Sequence, residues 1–228
     1  MWMELLKLFR EGDTLKSLTD DFLKMLELVQ EMADTVRPHL FDQTLSMEKK
    51  ARIRKTDIKV NKLERAIRKQ VIAHVTLSRA EVPYCLLLMS LVKDVERMGD
   101  YIKNISEVGE LGGGAIPEGD LRTELSEIVE IAMMMMADVP AIIGSQDRER
   151  AHELLQEGKD AGKRCDRLLV ELAKSDFNAA QTTSMVLLTR FYKRIGGHLL
   201  NILTSVVMPL HKVDFYDARA AALSHEPT

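Results

Sequence analysis

The chain reads as an all-α protein: two tandem antiparallel three-helix bundles behind a short N-terminal helix. Three observations lead there. The composition is 46% apolar and 29% charged but only 5% aromatic, with 13 Met and only 12 Gly and 6 Pro in 228 residues, as suits long amphipathic helices. Apolar residues recur at three- and four-residue steps through long stretches free of breakers. The phrase "ERMGDYIKNI" at 96–105 returns ninety-seven residues later as "KRIGGHLLNI" at 193–202, so one half of the chain repeats the other.

Residues 2–10 form a short amphipathic helix with Trp2, Leu5, Leu6 and Phe9 on one side, and "EGD" at 11–13 stops it. Leu15, Leu18, Phe22, Met25, Leu26, Val29 and Met32 then predict a helix from about 15 to 36, which Pro38 ends. From 46 to about 80 there is no Gly or Pro, and Ile53, Val60, Leu63, Ile67, Val71 and Val75 mark one long helix. Pro83 suits the first turn of the next, running to about 108. "ELGGGAIPEGD" at 110–120, with four glycines and a proline, is the clearest break.

The second half predicts helices over about 121–139, ended by Pro140 and Gly144, then 148–174 and 179–212. The domain reading is therefore an N-terminal helix at 1–13, a first repeat at 14–110, a Gly-rich linker at 111–120, a second repeat at 121–216 and a tail at 217–228. Gly99 and Gly196, kept at one place in both copies, predict close approach of a neighbouring helix backbone, because a glycine inside a helix costs about 1 kcal/mol against Ala. Asn104 and Asn201, five residues later in each copy, are expected to serve a buried polar contact.

A net charge of −3 argues against wholesale coating of nucleic acid. The start carries Glu4, Lys7 and Arg10 inside its apolar stretch and is not read as a signal peptide. No uncharged apolar run reaches the roughly 18 residues of a membrane span. Cys85 and Cys165 lack metal-type spacing, so a reduced, cytoplasmic chain is expected.

Residues four and eight apart share a helix face. Glu96, Asp100 and Asn104 form one column of oxygen-bearing side chains, and Asp57, Asn61 and Glu64 form another on the preceding helix. Packed antiparallel, the two columns could offer hard oxygen ligands to Mg²⁺, Mn²⁺, Ca²⁺ or iron. The plainer alternative is a solvated face in which Lys93 and Arg97 pair with the acids. In the second copy Glu96 becomes Lys193 and Asp100 becomes Gly197, while Gly162 and Asp166 stand for Asp57 and Asn61.

"VERMGDYIKNI", following "DIKVNKLE" on the previous helix, resembles the PhoU-like family, whose repeats carry an acidic E/D-x-x-x-D motif in such a phrase. The likeness extends over about 15–215 as two three-helix units, the second degenerate. It implies a cytoplasmic, non-enzymatic regulator of phosphate uptake and phosphate-responsive signalling. Family members contact a membrane phosphate transporter or its ATPase subunit, often a sensor histidine kinase, and dimerise. Some bind iron, zinc, magnesium or manganese on the acidic motif. Carried over, that points to Glu96 and Asp100 with Asp57 and Asn61, and more distantly Asn104 and Glu64. The alternative function on the same carboxylates is a metal store or metal-dependent enzyme.

Three further features stand apart. Ten Lys or Arg crowd residues 48–69, which could meet nucleic acid, an anionic membrane surface or an acidic partner, or form a solvated face balanced by acidic neighbours. No aromatic interleaves them, which disfavours single-strand binding. "MMMM" at 133–136 is either core filling or an adaptable docking surface. "ERAH" at 149–152 is a lone E-x-x-H, whereas di-iron bundles need two. No nucleophile motif or phosphate loop is present, so nothing predicts an active site.

Overall fold

A computed structural model describes residues 13–41, 45–77, 81–111 and 115–213. The N-terminal helix expected around Trp2 and Phe9, and the tail after Tyr216, lie outside these residues. Six α-helices follow in order: α1 Asp13–Val36, α2 Met47–Leu77, α3 Val82–Glu107, α4 Asp120–Ser145, α5 Arg148–Leu172 and α6 Ala179–Val207. All-α architecture is thus observed, and every helix expected over the described residues is present.

The periodic residues make the core, as amphipathic helices require. Leu18, Phe22, Met25, Val29 and Met32 of α1 are buried, as are Ile53, Val60, Ile67 and Val71 of α2. Local chemistry sets several ends. Pro83 occupies the first turn of α3, where its missing N–H costs nothing. Asp147 caps α5 by accepting from the Arg150 N–H at 2.9 Å. Asn178 and Gln181 form a reciprocal capping box at the start of α6.

Two expectations about helix ends are corrected. Pro140 does not stop α4, which runs through it to Ser145 and ends at Gln146, whose φ is +58°. Val139, Ile142 and Ile143 are all buried, and their packing outweighs the hydrogen bond that proline removes. The last helix stops at Val207 rather than 212, and a separate 3₁₀ turn covers Leu210–Lys212 after Pro209.

Helices α1, α2 and α3 pack together, as do α4, α5 and α6, and α3 lies along α6 while α1 touches α4. One continuous apolar cluster joins both units. Met133, Met135 and Met136 sit in it and Met134 packs against it, so the methionine run fills core. By length and composition α4 could cross a membrane, but half of its most apolar stretch is buried within the bundle. Its Glu124 accepts two hydrogen bonds from Arg164 at 2.7 Å, which hold that carboxyl below its ordinary pKa. Both cysteines are buried and free, and burial pushes the Cys165 thiol up to about 11.

The conserved-looking glycines do not do what their repetition suggests. A Cβ on Gly99 would meet Val29 and Asp57 side chains at 3.6 and 3.8 Å, ordinary contact, and one on Gly196 would meet nothing within 4 Å. The helical glycine in a tight place is Gly158, where a Cβ would come within 2.8 Å of both Leu200 and Met135. Close approach here is by side chains from α4 and α6, not by a neighbouring backbone.

The two units meet around a local pseudo-twofold. Tyr101 and His198 hold equivalent places in the two copies, and their rings stack at 5.8 Å. Asp94 and Phe191 are likewise equivalent, at the same ninety-seven-residue offset. Tyr101 contacts Phe191 at 6.0 Å, and in the mirrored position His198 Nδ1 meets Asp94 Oδ1 at 2.7 Å. Asn201 also donates to Asp94 Oδ1, at 3.0 Å. The expectation for Asn201 is therefore met, whereas partly exposed Asn104 makes no such bond among the described residues.

Candidate functional site

The acidic columns lie on α2 and α3, which pack against each other. Their helical phase turns Asp57, Glu64 and Glu96 inward, and all three are buried despite their charge. Such groups need partners, and lysines and arginines supply them.

Asp57 and Asp100 do come together, but around a residue the sequence reading passed over. Lys103 Nζ donates to Asp100 Oδ1 at 2.7 Å and to Asp57 Oδ2 at 3.1 Å. Burial works to lower the Lys103 pKa, but the hydrogen bonds it donates to Asp100 and Asp57, with their negative charges, outweigh it and hold it above its ordinary value. A group raised in this way stabilises the fold at all pH below its unfolded pKa and loses that contribution as pH climbs through the folded one. The ammonium is therefore in place throughout the neutral range. Asn61 donates to Asp57 Oδ2 at 3.4 Å, and Asp57 Oδ1 is buried without a hydrogen-bond partner among the described residues.

The other acids stand apart from this pair. Glu96 is held by Lys93 at 2.6 Å, with Arg97 at 3.9 Å, and Glu64 pairs with Arg68 at 3.1 Å. The sequence-level alternative of pairing with Lys93 and Arg97 thus describes Glu96 correctly. Among the described residues no three His, Cys, Asp or Glu side chains converge as a metal ligand set. A divalent cation between Asp57 and Asp100 would need the place that the Lys103 ammonium takes. As arranged, the donors fit a lysine and not a metal.

The second unit removes the whole cluster. Lys193 pairs with Asp166, joining two of the positions that correspond to Glu96 and Asn61. Lys103 is matched by Leu200, so the lysine disappears together with the acids it serves. Gly162 and Gly197 leave a cleft shared with Gly158, Gly196, Lys193 and Met135.

Lys103 was legible, lying three residues after Asp100 on the same helix face. So was Asp94, which interrupts the apolar series Leu87, Leu91, Met98, Ile102 at its own three- and four-residue spacing. A charged residue in a core register signals a buried partner, here supplied by the other unit.

With this geometry in view, the comparison with known families is decisive for the first unit: residues 22–109 match the model of the PhoU domain. The first unit is PhoU-like. That match encloses both acidic columns. Among solved structures, PhoU from Pseudomonas aeruginosa superposes with a TM-score of 0.77 at 20% identity, covering 87% of this chain and 97% of its own. The phosphate transport system regulatory protein PhoU from Streptococcus pneumoniae superposes with a TM-score of 0.71, also at 20% identity, covering 89% and 97%. The PhoU-like fold therefore extends through the second unit as well. No curated protein matches the sequence.

Proposed function

We propose that this PhoU-like chain regulates phosphate uptake and phosphate-responsive signalling. In this reading it works on the cytoplasmic side, by binding a membrane phosphate transporter or its ATPase subunit, with a sensor histidine kinase as a further partner. The supporting observation is the PhoU-domain match over residues 22–109, set in a fold shared with two PhoU proteins across most of the chain. The carboxylates of the two acidic columns are each paired with a lysine or arginine, which suits a rigid binding scaffold better than a reaction centre. Deleting the gene is expected to raise phosphate uptake in phosphate-replete medium, with restoration by the wild-type chain. Unchanged uptake of labelled phosphate in the deletion strain would count against the proposal.

A second reading keeps the carboxylates for iron, zinc, magnesium or manganese. One observation favours it: buried Asp57 Oδ1 lacks a partner and sits beside Asp100 and Lys103. It requires Lys103 to swing out of the pair.

A further inference from the structure

The outer face of α2 is strongly basic. Residues 48–69 carry ten cations against three carboxylates in a chain whose total charge is −3. Asp57 and Glu64 turn inward and are buried, so beyond Glu48 every exposed charged residue of the helix is a lysine or an arginine. Among the described residues only three of the ten cations meet a carboxylate: Lys50 with Glu110, Arg54 with Glu107 and Arg68 with Glu64. The described acidic neighbours therefore do not balance this face.

Arg52, Lys55, Lys59, Lys62 and Lys69 are exposed and form no ion pair among the described residues. Their spacing places them in one stripe along the helix, roughly 25 Å long at 1.5 Å per residue. Beside the stripe, at seven-residue steps, run Ile58, Arg65 and Ile72. Ile58 is 52% and Ile72 63% exposed, and Met47 and Leu77 stand out still further at the two ends of the helix. Helix α2 packs on α1 and α3, which leaves this arc facing outward.

We propose that the outer face of α2 docks on an anionic phospholipid surface. Lysines and arginines would pair with acidic headgroups while Ile58 and Ile72 enter the boundary between headgroups and acyl chains. A row of cations flanked by exposed isoleucines is what an interfacial helix presents. Nucleic acid would use the cations but gain nothing from the isoleucines, and no aromatic in 48–69 offers base stacking. Lipid headgroups also move laterally to meet whatever charge spacing the helix has, so no matching partner geometry is needed.

The test is flotation of the full chain with vesicles of phosphatidylcholine alone and of phosphatidylcholine containing about one-third phosphatidylglycerol. Binding is expected only to the anionic vesicles and should fall steeply at about 0.5 M salt, where charges are screened within a few ångströms. Combining Lys55→Glu, Lys59→Glu and Lys62→Glu should weaken binding more than about tenfold. The milder Lys→Gln set gives the same readout if the reversals disturb folding. Ile58→Ser with Ile72→Ser, which leaves the charge untouched, should reduce binding severalfold. Absence of binding to anionic vesicles at low salt, as expected if the face serves an acidic protein instead, overturns the proposal. Full binding by the isoleucine variant overturns it too, since cations alone would then suffice.

Discussion

Asp94→Ala is expected to lower the stability of the chain by about 2–3 kcal/mol, since hydrogen bonds to a charged group are each worth about 1.5–3. Asp94 is buried in the seam between the two units and takes both His198 Nδ1 at 2.7 Å and Asn201 Nδ2 at 3.0 Å. Truncation leaves both groups facing a void, and the partly exposed edge of His198 allows water to repair only part of the loss. For a chain of this size the melting temperature should drop by roughly 5–10 °C. Asp94→Asn keeps an acceptor at the same place and should cost about half as much. Asp160→Ala, which removes an exposed pair with Lys163, is the control and should leave stability essentially unchanged. Urea unfolding of the three variants checks the ordering. Parity between Asp94→Ala and the control would mean that the seam is not held by this carboxylate.

Lys103→Met should have the next largest effect, and it should be reversible by a metal. The substitution keeps the length of the stem but strips the ammonium from Asp57 and Asp100. It leaves buried Asp57 with one oxygen held only by Asn61 at 3.4 Å, beside one that has no partner among the described residues. Removing one member of a buried pair costs about 3–5 kcal/mol. Lys103 is 26% and Asp100 38% exposed, so water screens part of this and about 2 kcal/mol is expected. With the lysine gone, two carboxylates and Asn61 face a shared space, a donor set suited to a hard divalent cation. Millimolar Mn²⁺ should raise the melting temperature of Lys103→Met and leave the wild type unmoved, because a ligand stabilises only a fold that binds it. An equal rise in both proteins would show that Lys103 does not close the site. A variant that gains nothing would show that the carboxylates do not make a cation site at all.

Most of the fold was open to sequence reading because long helices advertise themselves. Each of Leu18, Phe22, Met25, Val60 and Ile67 sits in the core where its periodicity placed it. Pro140 misled because the rule against helical proline is local, whereas the burial of Ile142 and Ile143 comes from helices elsewhere in the chain. Gly99 and Gly196 misled in another way: their repetition answers to no tight contact at either position.

The acidic columns were legible as a pattern, but the lysine between Asp57 and Asp100 was not part of that reading. Helical spacing put Asp57 and Asp100 on facing sides correctly, but a column of oxygens says nothing about what neutralises it. Lys103 was visible in the same phrase, and its replacement by Leu200 in the copy that also lost the acids ties the three charges together. The seam was the harder feature. Asp94 pairs with residues more than a hundred positions away, and only the repeat offset, applied to Tyr101 and Phe191 as well, relates the contacts to one another.

The central claim is that this PhoU-like scaffold acts by binding components of phosphate transport. The most direct measurement is cross-linked co-purification of the full chain from the membranes of its own cells, grown with ample phosphate. Recovery of a phosphate permease or its ATPase subunit with the wild-type chain is expected. Repeated preparations that returned no transport or sensor component would contradict it.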